Sequence, residues 1–119
     1  MKKILLAEDD PTMVSLLKIL LGMEGYLAVN ITADNQDIIQ LTRDEHPDLI
    51  LMDVHLGEQN GLAVVKELRS LKDIKNTKVI MTSGMNLGEE CQTAGGDDFV
   101  LKPYMPDELL KKIKDTLSA

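Results

Sequence analysis

The sequence predicts a single α/β domain built on a parallel sheet that helices cover on both faces. Along its 119 residues, short apolar runs alternate with longer amphipathic stretches, which is typical of strands connected through helices. Four runs, residues 4–7, 49–52, 79–81 and 99–101, indicate strands buried on both faces. A weaker run at residues 27–29 supplies a fifth predicted strand.

The first two helices are predicted from their caps and their apolar positions. Asp10 can cap the first helix, which then begins near Pro11 and ends before Gly25. Its buried side is predicted to hold the apolar residues Met13, Leu16, Leu17, Leu20 and Leu21. The second helix is predicted from about Asn35 to Asp44, ahead of Pro47.

The other three predicted helices differ in the strength of their patterns. The third has an apolar stripe formed by Val64, Val65, Leu68 and Leu71. The fourth, near residues 87–94, is short and poorly patterned. The fifth begins around Pro106, has two acidic residues in its first turn, and lines up Leu109, Ile113 and Leu117.

Charge and composition limit the partners and the compartment. A net charge of −7 repels a phosphate backbone, so we expect partners that are proteins or cations and no direct nucleic-acid binding. The single cysteine, Cys91, cannot form an internal disulfide, which agrees with a reducing compartment. The first apolar run is too short for a signal peptide, and none is long enough to span a membrane. We therefore expect a cytoplasmic domain.

Polar and charged residues follow four of the predicted strands. Glu8, Asp9 and Asp10 follow the first strand, Asp53 follows the third, residues 82–84 follow the fourth, and Lys102 follows the fifth. The carboxyl ends of parallel strands meet at one edge of the sheet, where ligands of such folds bind. We therefore expect these side chains around one shallow cleft.

The chemistry of this cleft favours a hard cation and a phosphoryl group. Carboxylates ~5 Å apart repel by roughly 3 kcal/mol per pair at an effective dielectric constant of about 20. Oxygen ligands without a nearby His or Cys side chain suit Mg²⁺. A cation, the Lys102 ammonium and the Ser83 hydroxyl would stabilise phosphoryl oxygens. Asp53 is then a plausible nucleophile that forms an aspartyl phosphate.

Each residue also has a simpler interpretation when it is taken alone. Asp10 is better explained as a helix cap than as a ligand, and Glu8 with Asp9 could form a solvated turn. Ser83 before Gly84 is ordinary in turns, and a single lysine is commonly a surface residue. The simpler interpretation does not explain why four strand ends carry groups suited to one metal and phosphate site.

These segments resemble the receiver family of two-component signalling over residues 3–117. The matching segments are residues 4–10, residues 48–53 with Gly61, residues 79–84 and residues 99–103. The resemblance implies a flavodoxin-like fold with strand order 2-1-3-4-5, in which residues 1–119 form a single receiver domain.

The resemblance also assigns roles to the residues at the strand ends. Asp53 matches the phosphoacceptor. Asp9 matches a direct Mg²⁺ ligand, Glu8 matches its acidic neighbour, and the backbone carbonyl of His55 corresponds to a further ligand.

The phosphate-binding and switch positions match as well. Ser83, with Gly84 beside it, matches the hydroxyl residue that moves toward the phosphate, and Lys102 matches the lysine that pairs with the phosphate. Phe99 lies where an aromatic residue reports the state of Ser83. The bond from Lys102 to Pro103 is usually cis in this family.

Three departures from the family pattern have structural consequences. Glu8 stands where many members have Asp, which changes reach but not charge. Gly57 replaces the usual proline, which predicts a looser loop after Asp53. The stretch from Ser83 to Lys102 is about three residues shorter than the family norm, which predicts a shortened fourth helix.

The function implied by the resemblance is a phosphorylation-dependent signalling switch, not an enzyme. A histidine kinase or phosphotransfer protein would phosphorylate Asp53, and the change would alter the face formed by helix four, strand five and helix five. A downstream output protein or a fused effector domain would recognise that face. Two alternatives stay open: a binding module that works without phosphorylation, and an Asp-nucleophile phosphohydrolase. The hydrolase is disfavoured because His55, not a second Asp, lies two residues after Asp53.

Overall fold

The predicted strands form one parallel sheet in a computed structural model that describes residues 1–33 and 36–119. The strands are β1 (Lys3–Ala7), β2 (Leu27–Asn30), β3 (Leu49–Asp53), β4 (His55–Leu56), β5 (Gln59–Asn60), β6 (Lys78–Ser83) and β7 (Asp98–Leu101). The sheet has the order β2-β1-β3-β6-β7 with every pair parallel. This confirms the predicted order, while β4 and β5 form a separate antiparallel hairpin.

All five predicted helices are present. They are α1 (Pro11–Met23), α2 (Ile38–Glu45), α3 (Gly61–Arg69), α4 (Gly88–Ala94) and α5 (Pro106–Ser118). Residues of α1 and α5 pack together on one face of the sheet, and residues of α2, α3 and α4 pack on the other. Within the described residues, no helix is long and apolar enough to cross a membrane.

The central strands explain why both faces are covered. Leu5 and Ile50 point to the side of α2, α3 and α4, while their neighbours Leu6 and Leu51 point to the side of α1 and α5. All four side chains are buried, since successive residues of a strand face opposite ways. Burying each such side chain contributes about 1.5–3 kcal/mol.

Two predicted positions of burial are wrong. Leu16 is 47% exposed because it lies about 100° around α1 from the buried Leu17. Leu101 is also 47% exposed, so β7 is not buried on both faces as predicted. It is the last strand of the sheet and pairs with β6 alone.

Two helix boundaries also differ from the prediction. Asn35 lies outside the described residues, and α2 begins at Ile38, where the Asp37 side chain accepts a hydrogen bond from the backbone of Gln40. In the third helix, Leu71 lies beyond the end of α3 at Arg69 and packs on the core from the following turn. Polar residues are frequent around both ends, so the sequence does not single out the capping residue.

The fourth helix is short, as predicted. It has seven residues, none of the described side chains caps its first turn, and it ends at Gly95, where φ is +110°. Cys91 is buried inside it, and burial raises the pKa of this thiol to about 11. The thiol is therefore protonated at neutral pH and packs as an apolar side chain.

Arg69 fixes the end of α4 to the neighbouring segments. Its Nε donates a hydrogen bond to the carbonyl oxygen of Gly95 at 2.9 Å, and Nη1 donates to the carbonyls of Lys75 and Thr77. Its Nη2 lies 3.0 Å from Oδ2 of Asp97. One guanidinium thus joins the end of α3, the segment before β6 and the turn between α4 and β7.

Candidate functional site

Asp53 ends β3 at the carboxyl edge of the sheet, and its carboxylate is held on both oxygens. Oδ2 accepts a hydrogen bond from Nζ of Lys102 at 2.9 Å, and Oδ1 accepts one from the backbone N–H of His55 at 3.1 Å. The residue is only 8% exposed. An oriented carboxylate that keeps some access to solvent is suited to nucleophilic attack on an incoming group.

Gly61 allows the backbone of Asp53 to approach the start of α3. Its N–H donates to the carbonyl of Val54 at 2.7 Å. A Cβ at this position would lie 2.6 Å from the backbone oxygen of Asp53 and 3.0 Å from Cα of Val54. Only glycine fits here without displacing the backbone that carries Asp53.

Glu8 lies beside Asp53 and is 6% exposed. Its Oε1 accepts a hydrogen bond from Nζ of Lys102 at 2.7 Å, while Oε2 accepts from the backbone amides of Asp9 and Asp10 at 3.0 and 3.2 Å. The side chain therefore folds back on its own loop. The contact between Lys102 and Glu8, at 2.7 Å, is shorter than the contact between Lys102 and Asp53, at 2.9 Å.

Asp9 completes an acidic cluster that Asp10 does not join. One ligand oxygen each from Glu8, Asp9 and Asp53 lies within 4.8 Å of the others. Asp10 instead caps α1, where its Oδ1 accepts from the amides of Thr12 and Met13 at 3.0 and 3.3 Å. The interpretation of Asp10 as a cap is confirmed.

Lys102 supplies the positive charge of the cluster. Burial lowers the pKa of its ammonium, but the hydrogen bonds to Glu8 and Asp53 outweigh that effect, and the net shift is upward. Lys102 therefore stays charged at neutral pH. One cation facing three carboxylates leaves a net negative site, which favours a further cation.

Ser83 ends β6 next to Lys102. The backbone N–H of Lys102 donates to the carbonyl of Ser83 at 2.8 Å, and Oγ of Ser83 accepts a hydrogen bond from the amide of Met85 at 3.0 Å. Ser83 is buried and Gly84 is exposed. Phe99 pairs with Met81 of β6 and packs, half-buried, on the core.

The backbone of His55 faces the cluster while its side chain is exposed. Its N–H donates to Asp53, not to Asn60, its partner in the β4–β5 hairpin. The role of its carbonyl as a metal ligand stays a prediction. The peptide bond between Lys102 and Pro103 is cis.

The contact between Asp9 and the β4–β5 hairpin was not predicted from the sequence. Oδ2 of Asp9 accepts a hydrogen bond from the backbone N–H of Gly57 at 3.2 Å. The glycine itself was the available signal, because two-residue hairpin turns of type II′ favour glycine at their first position. The partner of its N–H is set by tertiary structure and has no local signature.

Comparison with known proteins identifies this arrangement. The family model of the response regulator receiver domain matches residues 4–114. The chain belongs to this family. As a receiver domain it is a signalling switch of two-component systems and not a conventional enzyme.

Several relatives resemble the receiver domain over nearly its whole length. The transcriptional regulatory protein CpxR of Klebsiella pneumoniae is 38% identical over 123 residues, which cover 98% of this chain and 50% of CpxR. The chemotaxis protein CheY of Thermotoga maritima is 27% identical and is covered to 94%, as is this chain. The N-terminal domain of the nisin resistance regulator NsrR superposes with a TM-score of 0.85 at 33% identity, covering 98% of both chains.

The receiver domain spans about half the length of most of the curated relatives it matches. In these relatives the matched region is thus accompanied by a further stretch of comparable length, whereas CheY is matched almost entirely.

Proposed function

We propose that this receiver domain accepts a phosphoryl group on Asp53, with Mg²⁺ bound by the adjacent acidic cluster. The observation that carries the proposal is the placement of Lys102, whose ammonium lies 2.9 Å from the carboxylate of Asp53. One carboxylate oxygen each of Glu8 and Asp9 lies within 4.8 Å of the carboxylate of Asp53. Nucleophile, ammonium and cation ligands therefore meet in one cluster.

The acidic cluster fits a hard cation. Its donors are carboxylate oxygens, to which we add the carbonyl of His55 as a proposed donor, and Mg²⁺ prefers oxygen ligands while keeping several waters. Asp9 and Asp53 are the proposed direct ligands. Glu8 is engaged by Lys102 and two backbone amides, so it contributes mainly charge. When bound, the cation neutralises the negative charge of the phosphoryl oxygens.

The chain's own residues orient the transfer. A carboxylate oxygen of Asp53 attacks phosphorus in a phosphohistidine of the donor, forming a P–O bond as the P–N bond breaks. The electron pair of that bond leaves with the imidazole of the donor. The ammonium of Lys102 then pairs with a phosphoryl oxygen, and Ser83 can turn its hydroxyl toward another.

The proposed partners follow from this chemistry. A histidine kinase or phosphotransfer protein supplies the phosphoryl group, and a downstream protein or a fused effector domain reads the result. Residues 1–119 act as one receiver domain in the cytoplasm, and the net charge of −7 keeps this domain itself off nucleic acids.

The test of this function is an intact-mass measurement after incubation with acetyl phosphate and Mg²⁺. We expect one added phosphoryl group, and none when a chelator replaces Mg²⁺. No uptake under any condition would favour the alternative of a binding module that works without phosphorylation.

Replacing Asp9 by Ala should weaken Mg²⁺ binding far more than replacing Asp10. Asp9→Ala removes a proposed ligand, and we expect the dissociation constant to rise at least about tenfold, since even outer-shell partners of a metal often contribute that much. Asp10→Ala should instead lower the unfolding free energy by about 1 kcal/mol through loss of the cap. Titration of both variants with Mg²⁺, followed by NMR, checks the contrast. Equal weakening would remove Asp9 from the ligand set.

The phosphorylated form should lose its phosphoryl group slowly. Polar side chains near the phosphate can orient the attacking water, but Met85 offers a thioether and is 59% exposed. We expect Met85→Glu to accelerate the decay roughly tenfold, a modest share of what positioned proton-transfer groups contribute. Met85→Leu is the matched apolar control and should decay like the wild type. Fast decay in the wild type, with no effect of Met85→Glu, would contradict the argument.

Phosphorylation should alter the face formed by α4, β7 and α5. It adds about −1.5 to −2 charges, which draw Ser83 inward and open space for Phe99. The proposed partner surface is centred on Phe99, Tyr104 and the exposed side of α5 near Lys111 and Lys112. Lys111 pairs with Asp115 at 2.8 Å in an exposed position, and Lys112 pairs with Asp98 at 3.2 Å.

Amide hydrogen exchange with and without beryllium fluoride tests this face. We expect α4 to exchange readily, because glycines flank it and none of the described side chains caps its start, and we expect Phe99 to change on activation. A strongly protected α4 in both states, with no change at Phe99, would show the assignment to be wrong.

A further inference from the structure

Asp9 is the exposed member of the acidic cluster, and its carboxylate is oriented from another segment of the chain. The N–H of Gly57 donates to its Oδ2 at 3.2 Å, across 48 positions of sequence. Asp53 and Glu8 are instead both held by Lys102. The contact to Gly57 is thus a separate link between the cluster and the β4–β5 hairpin.

The shape of the hairpin explains why this N–H is available. Gly57 and Glu58 are the two turn residues between the paired Leu56 and Gln59. Gly57 has φ +58°, as the first residue of such turns requires. A turn of this kind is closed by the residues on either side of it, so the N–H of its first central residue takes no part in the ladder. Here that N–H points at Asp9.

We infer that Gly57 is a positioning residue for Asp9: its backbone N–H holds one carboxylate oxygen and leaves the other for a cation. The inference rests on the magnesium site proposed above. An exposed carboxylate loses side-chain freedom when it binds a metal, and a hydrogen bond that already restricts the side chain reduces that loss. Outer-shell partners of this kind orient the ligands of metal sites.

Coupling between two binding events is reciprocal, so the inference predicts the direction in which Mg²⁺ changes the Gly57 contact. If the Gly57 contact favours the Asp9 orientation that binds Mg²⁺, then Mg²⁺ must in turn stabilise the Gly57 contact. Mg²⁺ should therefore slow solvent exchange of the Gly57 amide proton. If Mg²⁺ instead competes with the N–H for Asp9, exchange should become faster.

The first experiment measures exchange of the Gly57 amide by NMR in three forms of the protein, each with and without Mg²⁺. In the wild type we expect slower exchange when Mg²⁺ is added. Asp9→Asn keeps an oxygen that can accept the hydrogen bond but loses the charge, so some protection should remain without a response to Mg²⁺. Asp9→Ala should exchange fast in both conditions. Faster exchange on addition of Mg²⁺ to the wild type would overturn the inference.

The second experiment separates the N–H from the shape of the turn. Semisynthetic replacement of Gly57 by glycolic acid exchanges the N–H for an ester oxygen and keeps the freedom to adopt positive φ, whereas Gly57→Ala keeps the N–H and strains the turn. We expect the Mg²⁺ dissociation constant to rise about tenfold with the ester and several-fold less in Gly57→Ala. Equal weakening in the two variants would assign the effect to the turn and not to the N–H.

The two proposals fail in different ways. If no amide near Glu8, Asp9 or Asp53 shifts with Mg²⁺ in the wild type, the magnesium site itself is wrong and the role of Gly57 falls with it. If those amides shift while exchange at Gly57 does not change, the site stands and only the positioning role of Gly57 is wrong.

Discussion

Asp53→Asn should abolish phosphorylation while leaving the protein folded. The substitution removes the nucleophilic oxygen but keeps nearly the same shape, and the amide oxygen can still accept a hydrogen bond from Lys102 or from the N–H of His55. We expect no added phosphoryl group by intact mass after incubation with acetyl phosphate and Mg²⁺, under conditions that label the wild type.

Asp10→Asn provides the matched control for this loss. Asp10 is also acidic and lies in the same loop as the cluster, but it caps α1, and Asn caps helices about as well as Asp. This variant should be phosphorylated like the wild type. Phosphorylation that persists in Asp53→Asn would assign the acceptor to another residue, which fragment masses would identify.

Gly61→Ala should damage both stability and phosphorylation. The new methyl group would lie 2.6 Å from the backbone oxygen of Asp53, so the backbone of β3 or α3 must move. Overpacking of this kind typically costs about 1–3 kcal/mol. Because the displaced segment carries the proposed nucleophile, we expect phosphorylation to slow by up to about 100-fold, the effect that a misplacement of 1 Å can have.

Gly22→Ala distinguishes this close approach from a general effect of replacing glycine. Gly22 lies in α1, and no described atom comes within 4 Å of a Cβ built there. The change should raise stability slightly, by up to about 1 kcal/mol, because alanine favours helix more than glycine does. Urea unfolding and the rate of phosphoryl uptake measure both variants. Similar stability of the two would contradict the close approach at Gly61.

The parts of the fold that followed from sequence are those with strong local patterns. The strands β1 and β3 are buried on both faces, and their continuous apolar runs predicted this directly. The start of α2 and the end of α3 were misplaced, since the caps at Asp37 and Ser70 stand among other polar residues. Leu16 was misassigned because a helix with many leucines does not reveal which of them face the sheet.

In the candidate site, too, the approximate location of the residues could be predicted, but their detailed contacts could not. Parallel strands bring their carboxyl ends to one edge, so the meeting of Glu8, Asp53 and Lys102 could be predicted from the order of the strands alone. The hydrogen bonds from the amides of Asp9 and Asp10 to the Glu8 carboxylate could not be predicted, because they depend on the length and rotamer of that side chain. The contact between Asp9 and Gly57 could not be predicted either, because it depends on where the β4–β5 hairpin lies in the folded domain.

The hydrogen bonds of Arg69 determine how α4 can move. They fix the turn at Gly95 and Asp97, while the opposite end of the helix at Leu87 follows the segment that begins at Ser83. We therefore expect a displacement of α4 to be a rotation about its carboxyl end. A helix of seven residues is about 10 Å long, so a rotation of about 10° moves its free end by roughly 2 Å. The shortened helix would thus rotate about the contacts of Arg69, and its opposite end follows the segment that begins at Ser83, next to the proposed phosphate site.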